Sequence, residues 1–261
     1  MQFTTENNIL PKSQLGFLPG NCTTDAHIIL HNLIRKYCHK NNSRIYSCFI
    51  DFSKAFDTIP RDLLLKKLLN FNITGKFFNI IKSIYSNDKA CIKIDNKITE
   101  SFEINQGVRQ GCVLSPLLFN IFLSDLPKQL DIVSGKVTLD RKEINSLVWA
   151  DDVVLLTKNE KDLEQMLKIV ETYCDENKLT VNTDKTKCLI FNKTGRLFRN
   201  KFYLHNKELE NVRSYKYLGF VFTPSGEIKT GLYDLRDRAF KAFMKFRKKW
   251  TLHFIKMYIP H

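Results

Sequence analysis

Three features of the 261-residue chain predict an α+β fold. Segments with helical spacing of apolar residues interrupt a set of short strand-like runs, and at least one pair of those runs reads as an antiparallel hairpin. No internal repeat, low-complexity tract or Pro/Gly-rich linker divides the chain, which favours one continuous unit. Hydrophobic residues make up 43%, with 20 phenylalanines, enough for a substantial core and against disorder.

The elements follow in order. Thr23 or Thr24 can cap a helix in which Ile28, Ile29, Leu33 and Tyr37 recur at helical spacing. Residues 46–52 read as a buried strand ending in Asp51. Pro60 suits the first turn of a helix carrying Leu64, Leu65, Leu68 and Leu69. Beyond Asn72 and Gly75, residues 77–85 read as another helix. Alternation from 90 to 104 around Asp95-Asn96 signals a hairpin. Ser115-Pro116 opens a helix running to Leu126, where Pro127 stops it. Residues 147–156 are apolar except Asp151 and Asp152. Residues 161–177 form an amphipathic helix with Leu163, Met166, Leu167, Val170 and Cys174 on one face. Strand-like runs follow at 187–191, 202–204 and 215–222, then a basic helix over 232–250.

Lys and Arg number 41 against 27 Asp and Glu, a formal charge of +14. Such an excess attracts polyanions at long range, and nucleic acid is the commonest, although anionic membranes and acidic proteins also bind basic surfaces. The seven cysteines are odd in number and form no Cys-x-x-Cys pair, so they read as buried small hydrophobes in a reducing compartment. His27 and His31 stand one helical turn apart, but without the Glu of a metalloprotease helix they read as surface or core histidines. The first 12 residues lack the apolar core of a signal peptide, and no apolar run approaches the ~20 residues of a membrane span. A soluble, intracellular protein is expected.

The carboxylates inside apolar runs are the strongest chemical signal. Burying one ionised carboxylate is costly, and two adjacent ones cost more unless a cation compensates. Asp151 and Asp152 are flanked by Leu-Val-Trp-Ala and Val-Val-Leu-Leu. In a straight strand they would point to opposite faces, whereas a tight hairpin presents both at one end of a sheet. Asp51 closes a second apolar run, Cys48-Phe49-Ile50. An arbitrary Asp-Asp is usually a solvated turn; apolar flanks and a partner at Asp51 point instead to a functional edge that holds hard divalent cations. Two magnesium ions about 4 Å apart can activate a 3′-hydroxyl and stabilise a leaving pyrophosphate.

These segments resemble the reverse transcriptases of non-LTR (LINE-type) retrotransposons. Phe49-Ile50-Asp51-Phe52-Ser53-Lys54-Ala55-Phe56-Asp57 resembles their first catalytic motif, and the run from Gln106 through Gly111 and Ser115-Pro116 to Asn120 resembles the second. Ala150-Asp151-Asp152 resembles the third, Asn182-x-x-Lys185 the fourth, and Tyr217-Leu218-Gly219 the primer grip. Gln14-Leu15-Gly16-Phe17 with Thr24-Asp25-Ala26 resembles the block before the palm. The motifs fall in the family's order over residues 14–222. They look more like the retrotransposon pattern than that of a group II intron maturase.

The resemblance implies a right-hand polymerase palm, an antiparallel sheet with packed helices, with partial fingers and the start of a thumb. Expected boundaries are 1–48 for the pre-palm segment, 49–222 for the palm with its fingers-side hairpin at 90–104, and 223–261 for the thumb start. It implies an RNA-directed DNA polymerase that adds deoxynucleotides from triphosphates to a primer on an RNA or DNA template, using two Mg²⁺ ions, with Mn²⁺ as a substitute. Asp51 and Asp151 would hold both metals, Asp152 would complete the cluster, and the Phe52 backbone would lie beside metal and triphosphate. Phe56 would exclude a ribose 2′-hydroxyl, the alternative being an ordinary core ring. Gln110 and Gly111 would line the nucleotide pocket. Lys185 would approach the pyrophosphate as a general acid, the alternative being a surface lysine. Arg109 would touch template or triphosphate, or else lie in a solvated loop. Basic residues Arg236, Arg238, Lys241, Lys245, Arg247, Lys248 and Lys249 would meet phosphates. Trp149 departs from the family's usual Phe or Tyr two residues before Asp151. The upstream fingers, an endonuclease and an RNase H are not expected within these residues. A remnant that binds nucleic acid without polymerising is the other reading.

Overall fold

The structure, a computed structural model, describes residues 9–258 together with Thr4 and Asn7, and side chains as far as Arg247. The remaining residues of the expected leaderless N-terminus, and the side chains of Lys248 and Lys249, lie outside the described residues. Among the described residues no helix is long and apolar enough to cross a membrane.

Helix α1 (Thr23–Ile34) continues into a π-helical segment, Arg35–Lys40, and leads to β1 (Ile45–Ile50). Short α2 (Ala55–Thr58) is followed by α3 (Arg61–Asn70) and α4 (Gly75–Ser86). Two small ribbons come next, β2 (Lys89–Ala90) with β5 (Phe102–Glu103) and β3 (Lys93–Ile94) with β4 (Lys97–Ile98). Helices α5 (Ser115–Leu123) and α6 (Leu126–Leu130) precede the hairpin β6 (Val137–Leu139) and β7 (Lys142–Ile144). Then come β8 (Ser146–Trp149), β9 (Asp152–Thr157), α7 (Glu160–Asn177) and β10 (Lys187–Phe191). The chain closes with β11 (Phe202–Leu204), β12 (Lys207–Asn211), the hairpin β13 (Tyr215–Tyr217) and β14 (Phe220–Phe222), and α8 (Ile228–Tyr258).

The six-stranded sheet has the order β11-β12-β10-β1-β9-β8. β1 lies inside it, antiparallel to both β10 and β9; β10 and β12 are parallel. Every residue of β1 is buried, because both faces of the sheet are covered. Side chains alternate across the pleat. Tyr46, Cys48 and Ile50 join a core with Leu64 and Leu68 of α3, Phe119 and Phe122 of α5, and Leu163, Met166, Leu167 and Val170 of α7. Ile45 and Phe49 join the opposite core with Leu30 and Leu33 of α1 and Tyr217 and Phe222 of the β13–β14 hairpin.

Several local expectations are corrected. The residue before α1 is Cys22, whose backbone N–H is held by the Asp25 carboxylate at 2.7 Å, so neither Thr23 nor Thr24 is the cap. Pro127 does not stop a helix: α5 ends at Leu123, and Pro127 sits in the first turn of α6, where a missing N–H costs nothing. Leu69 points outward. Cys38, Cys48, Cys174 and Cys188 are buried as expected, but Cys22 and Cys91 are exposed. Strands β6, β7 and β12 had no counterpart in the sequence reading.

One polar hub fastens the helical layer under the sheet. Lys67 of α3 donates to both Asp125 carboxylate oxygens at 2.8 Å, to the Phe122 carbonyl at 2.7 Å and to the Tyr173 hydroxyl at 2.9 Å. Burial pulls the Lys67 ammonium below its ordinary range, with Asp125 opposing. Removing the cation leaves the Asp125 carboxylate and the Phe122 carbonyl to share the Tyr173 hydroxyl, which lies 2.6 and 2.9 Å from them. Lys67→Ala should therefore lose about 2 kcal/mol of stability in urea unfolding, less than the scale for breaking a fully buried pair because the Asp125 carboxylate is partly exposed. A loss below that of an ordinary surface lysine would show that the hub contributes little.

Candidate active site

The strand register brings the sequence-predicted carboxylates together. Ile50 of β1 faces Val153 of β9, so one step further sets Asp51 beside Asp152. On the other side Phe49 faces Lys187, so continuing that register sets Lys185 beside Asp51. Asp151 belongs to the two-residue connection Ala150-Asp151 that closes the β8–β9 hairpin after the Trp149–Asp152 pair. Ala150 has φ +55°, a left-handed conformation that costs a residue with a β-carbon some strain.

Electrostatics records the proximity. Burial, then the charges of Asp151 and Asp51, raise the Asp152 carboxyl to about 6; burial, opposed by a backbone hydrogen bond, and the charge of Asp51 also raise Asp151. The Lys185 ammonium is 3.9 Å from Asp51 Oδ2, and its side chain is 69% exposed. Among the described residues no three His, Cys, Asp or Glu side chains converge tightly enough to form a ready cation cage. Their chemistry nevertheless fits a hard divalent cation: three oxygen donors whose charges oppose one another.

The loop after α7 clasps the end of β1. Asn182 N–H donates to the Asp51 carbonyl at 2.7 Å, Ser53 N–H to the Thr180 carbonyl at 2.8 Å, and Asp51 N–H to Thr186 Oγ1 at 3.1 Å. Phe52 is buried and bridges Val181. The Asn182 side chain accepts the backbone N–H groups of Asp184 and Lys185, each at 3.2 Å, which gives Asn182-x-x-Lys185 a physical meaning: the asparagine folds the turn that carries the lysine.

A second loop, residues 104–112, packs against residues 56–59. Gly107 has φ +81°, and a β-carbon there would lie 2.5 Å from the Asp57 carbonyl oxygen, so glycine is required. Gln110 donates to Asp57 Oδ1 at 2.8 Å, a partner that the sequence did not foreshadow. Gly111 has φ +82° and open space where a side chain would stand. Phe56 is half-buried and stacks on Phe119, with ring centroids 4.7 Å apart. Arg109 pairs with Asp88 at 2.7 Å while its side chain stays half exposed. Asp88 also takes Arg61 at 2.7 Å, and Arg61 donates to the carbonyls of Gly107, Tyr85 and Ile104. Burial alone would raise the Asp88 carboxyl, but Arg109 and Arg61 outweigh it and hold it low.

The β13–β14 hairpin covers the opposite side. Leu218 and Gly219, with φ +45° and +84°, form its two-residue turn, as a type I′ hairpin requires. Tyr217 is buried, and its hydroxyl has no hydrogen-bond partner among the described residues. Tyr215, which the sequence reading did not single out, stacks on Phe49 with centroids 4.3 Å apart. Burial, then the charges of Asp152 and Asp51, push its hydroxyl up to about 12. His27 Nε2 lies 3.0 Å from the Tyr217 carbonyl.

A sheet whose interior strand ends in one carboxylate beside a hairpin carrying two more, with helices packed against it, is the palm of a right-hand polymerase. The family model for reverse transcriptase (RNA-dependent DNA polymerase) matches residues 1–222, and the chain belongs to this family. It is 27% identical over 227 residues to the Pol polyprotein of the type-2 retrotransposable element R2DM of Drosophila melanogaster, covering 83% of this chain and 21% of that protein. It is 28% identical to the RNA-directed DNA polymerase from mobile element jockey of Drosophila funebris, covering 83% of this chain and 24% of that protein. The chain thus spans roughly a quarter or less of these two relatives, both of the retrotransposon kind that the motifs implied. Apo telomerase from Candida tropicalis shares the fold, with a TM-score of 0.60 at 15% identity over 87% of this chain and 39% of that one.

The raised carboxyl of Asp152 has a consequence for stability. Its folded value of about 6 exceeds the ordinary 3.8, so ionising it costs the folded state. Stability present below pH 4 is lost as pH rises through 6. In metal-free buffer at pH 8, Asp152→Asn should exceed the parent by on the order of 2 kcal/mol after allowing for screening of a partly exposed group. The difference should vanish near pH 4, and thermal unfolding at both pH values measures it. A variant less stable than the parent at pH 8 would contradict the assignment.

Proposed function

We propose that this domain catalyses RNA-directed DNA synthesis, adding deoxynucleotides to a primer 3′-end. Family membership supports the reaction class; the observation that carries the site assignment is the gathering of Asp51, Asp151 and Asp152 at one edge of an otherwise apolar sheet. In this reading the three carboxylates hold two Mg²⁺ ions, with Mn²⁺ as a substitute. The bound ions supply Lewis acidity to the attacking 3′-hydroxyl and the departing pyrophosphate.

The chain's own residues do the rest. The Phe52 backbone, fixed by the Val181 bridge, faces the triphosphate. Gly111 leaves room for a base or sugar, and Gln110, oriented by Asp57, lines the same pocket. Lys185 stands within reach of Asp51 and would deliver a proton to the pyrophosphate. Tyr217, Leu218 and Gly219 present the hairpin turn to the primer. Template and primer, as RNA or DNA, are the partners that the +14 charge suits.

Asp51→Asn and Asp151→Asn should each abolish primer extension on an RNA template, a loss of at least about a thousandfold of the electrostatic stabilisation kind, while urea unfolding stays cooperative. Extension at parental rate by either variant would sink the metal assignment. Duplex binding without extension by the parent chain would favour the nucleic-acid-binding remnant instead.

Phe56 gives a separate test of sugar discrimination. If its ring packs under the deoxyribose, Phe56→Val should raise incorporation of ribonucleotides relative to deoxynucleotides, with a melting temperature close to the parent. If its stacking on Phe119 is purely structural, the variant should instead lose stability with unchanged selectivity; Phe56→Ala would then cost about 3–5 kcal/mol.

A further inference from the structure

The block Gln14-Leu15-Gly16 lies against the hairpin that carries Asp151, and the function described so far gives it no task. Residues 13–15 run parallel to the outer edge of β8: Leu15 N–H donates to the Val148 carbonyl at 2.8 Å, and Val148 N–H to the Ser13 carbonyl at 2.9 Å. The Gln14 side chain, on a residue only 3% exposed, folds inward. Its Oε1 accepts two backbone N–H groups, from Gly16 at 2.8 Å and from Ala150 at 3.3 Å.

Ala150 is the strained residue of the catalytic turn, with φ +55°, and its N–H lies beyond the last ladder pair of the hairpin. A buried N–H without an acceptor is costly, so the Gln14 oxygen stabilises the turn in the conformation that presents Asp151. The approach is close enough to dictate sequence. A β-carbon on Gly16 would lie 2.7 Å from the Ala150 nitrogen and 3.0 Å from Trp149 Cα. Asn120 of α5, fully buried, fixes the far side by donating to the Gly16 carbonyl at 2.8 Å, while its own Oδ1 has no partner among the described residues.

We propose that Gln14 is a positioning residue for the metal site: through the Ala150 amide it holds the β8–β9 turn so that the Asp151 carboxylate stays directed at Asp51. This rests on the assignment of the carboxylates to metal binding. Gln14 touches no substrate and acts through the backbone of the turn alone.

The test measures Mn²⁺ binding to the 261-residue chain by electron paramagnetic resonance, with no nucleic acid present. Gln14→Met keeps the length of the side chain and removes the acceptor. It should weaken Mn²⁺ affinity about tenfold, the low end of what groups supporting metal ligands contribute. Leu15→Ala loosens the same segment without touching the turn; it should lower the melting temperature and leave Mn²⁺ affinity unchanged. Ala150→Gly, placed in the Gln14→Met background, should restore much of the affinity, because glycine adopts positive φ without a steric penalty. Parental Mn²⁺ affinity in Gln14→Met, an equal loss in Leu15→Ala, or no rescue by Ala150→Gly would each overturn the brace. Asp151→Asn separates the two ideas. If it binds Mn²⁺ as the parent does, the metal assignment itself fails; if it loses Mn²⁺ while Gln14→Met does not, only the brace falls.

Discussion

Three carboxylates gathered at the end of an apolar sheet repel one another, and the rest of the architecture is arranged around that repulsion. Left to itself the cluster would splay into solvent, taking the end of β1 with it. β1 resists because both of its faces are buried and both of its edges are paired. A one-residue slip would exchange Phe49 for Cys48 on the face against α1 and move Asp51 off the site, so the two-sided core fixes the register as firmly as the hydrogen bonds do. The same cores supply the stability that an electrostatically unfavourable edge requires.

Where the chain leaves regular structure near the site, buried polar groups take over from apolar packing. Residues 104–112 have little secondary structure, yet Arg61 reaches three of the surrounding carbonyls and Asp88 pairs with both Arg61 and Arg109. Such a network adds less net stability than an apolar core of equal volume, but it accepts only one loop geometry. The Asn182 turn and the Gln14 segment follow the same logic. Each side-chain amide accepts two backbone N–H groups and so fixes a short segment beside a carboxylate. Rigid polar braces around a site that must hold charge are a consistent division of labour with the apolar sheet behind it.

How much of this was legible in the sequence follows from the range of each interaction. Asp51, Asp151 and Asp152 stood out because a carboxylate inside an apolar run is locally anomalous, and the hairpin that unites two of them spans only a few residues. The α7 helix was equally plain, since all five of its expected core residues are buried. By contrast, the Gln110–Asp57 and Arg109–Asp88 pairs join residues that carry no mark of each other in the sequence. β12 was invisible for a different reason: Lys-Glu-Leu-Glu-Asn offers one apolar side chain, and its place beside β10 is set by tertiary pairing rather than by pattern. β6 and β7 were readable in principle, because Val137, Leu139 and Ile144 alternate around Asp140-Arg141, two residues with positive φ. Pro127 was misread because proline marks the first turn of a helix as often as its end.

The same hairpin that closes over the site also ties it to the terminal helix. Arg238 of α8 donates to the Gly219 carbonyl and pairs with Asp234, which in turn pairs with Lys216 of β13. From the other side His27 of α1 reaches the Tyr217 carbonyl. The turn between these two tethers has the left-handed pair that a type I′ hairpin requires, strained at Leu218 but not at Gly219. Tyr215, two residues before Tyr217 on the same strand, stacks on Phe49, and Phe49 stands two residues before Asp51. A displacement of α8 is therefore carried by a stiff two-stranded ribbon to a ring packed on the strand that ends in the first carboxylate. Because the tethers grip carbonyl oxygens, those of Tyr217 and Gly219, that linkage depends on backbone rather than on the side chains of the turn.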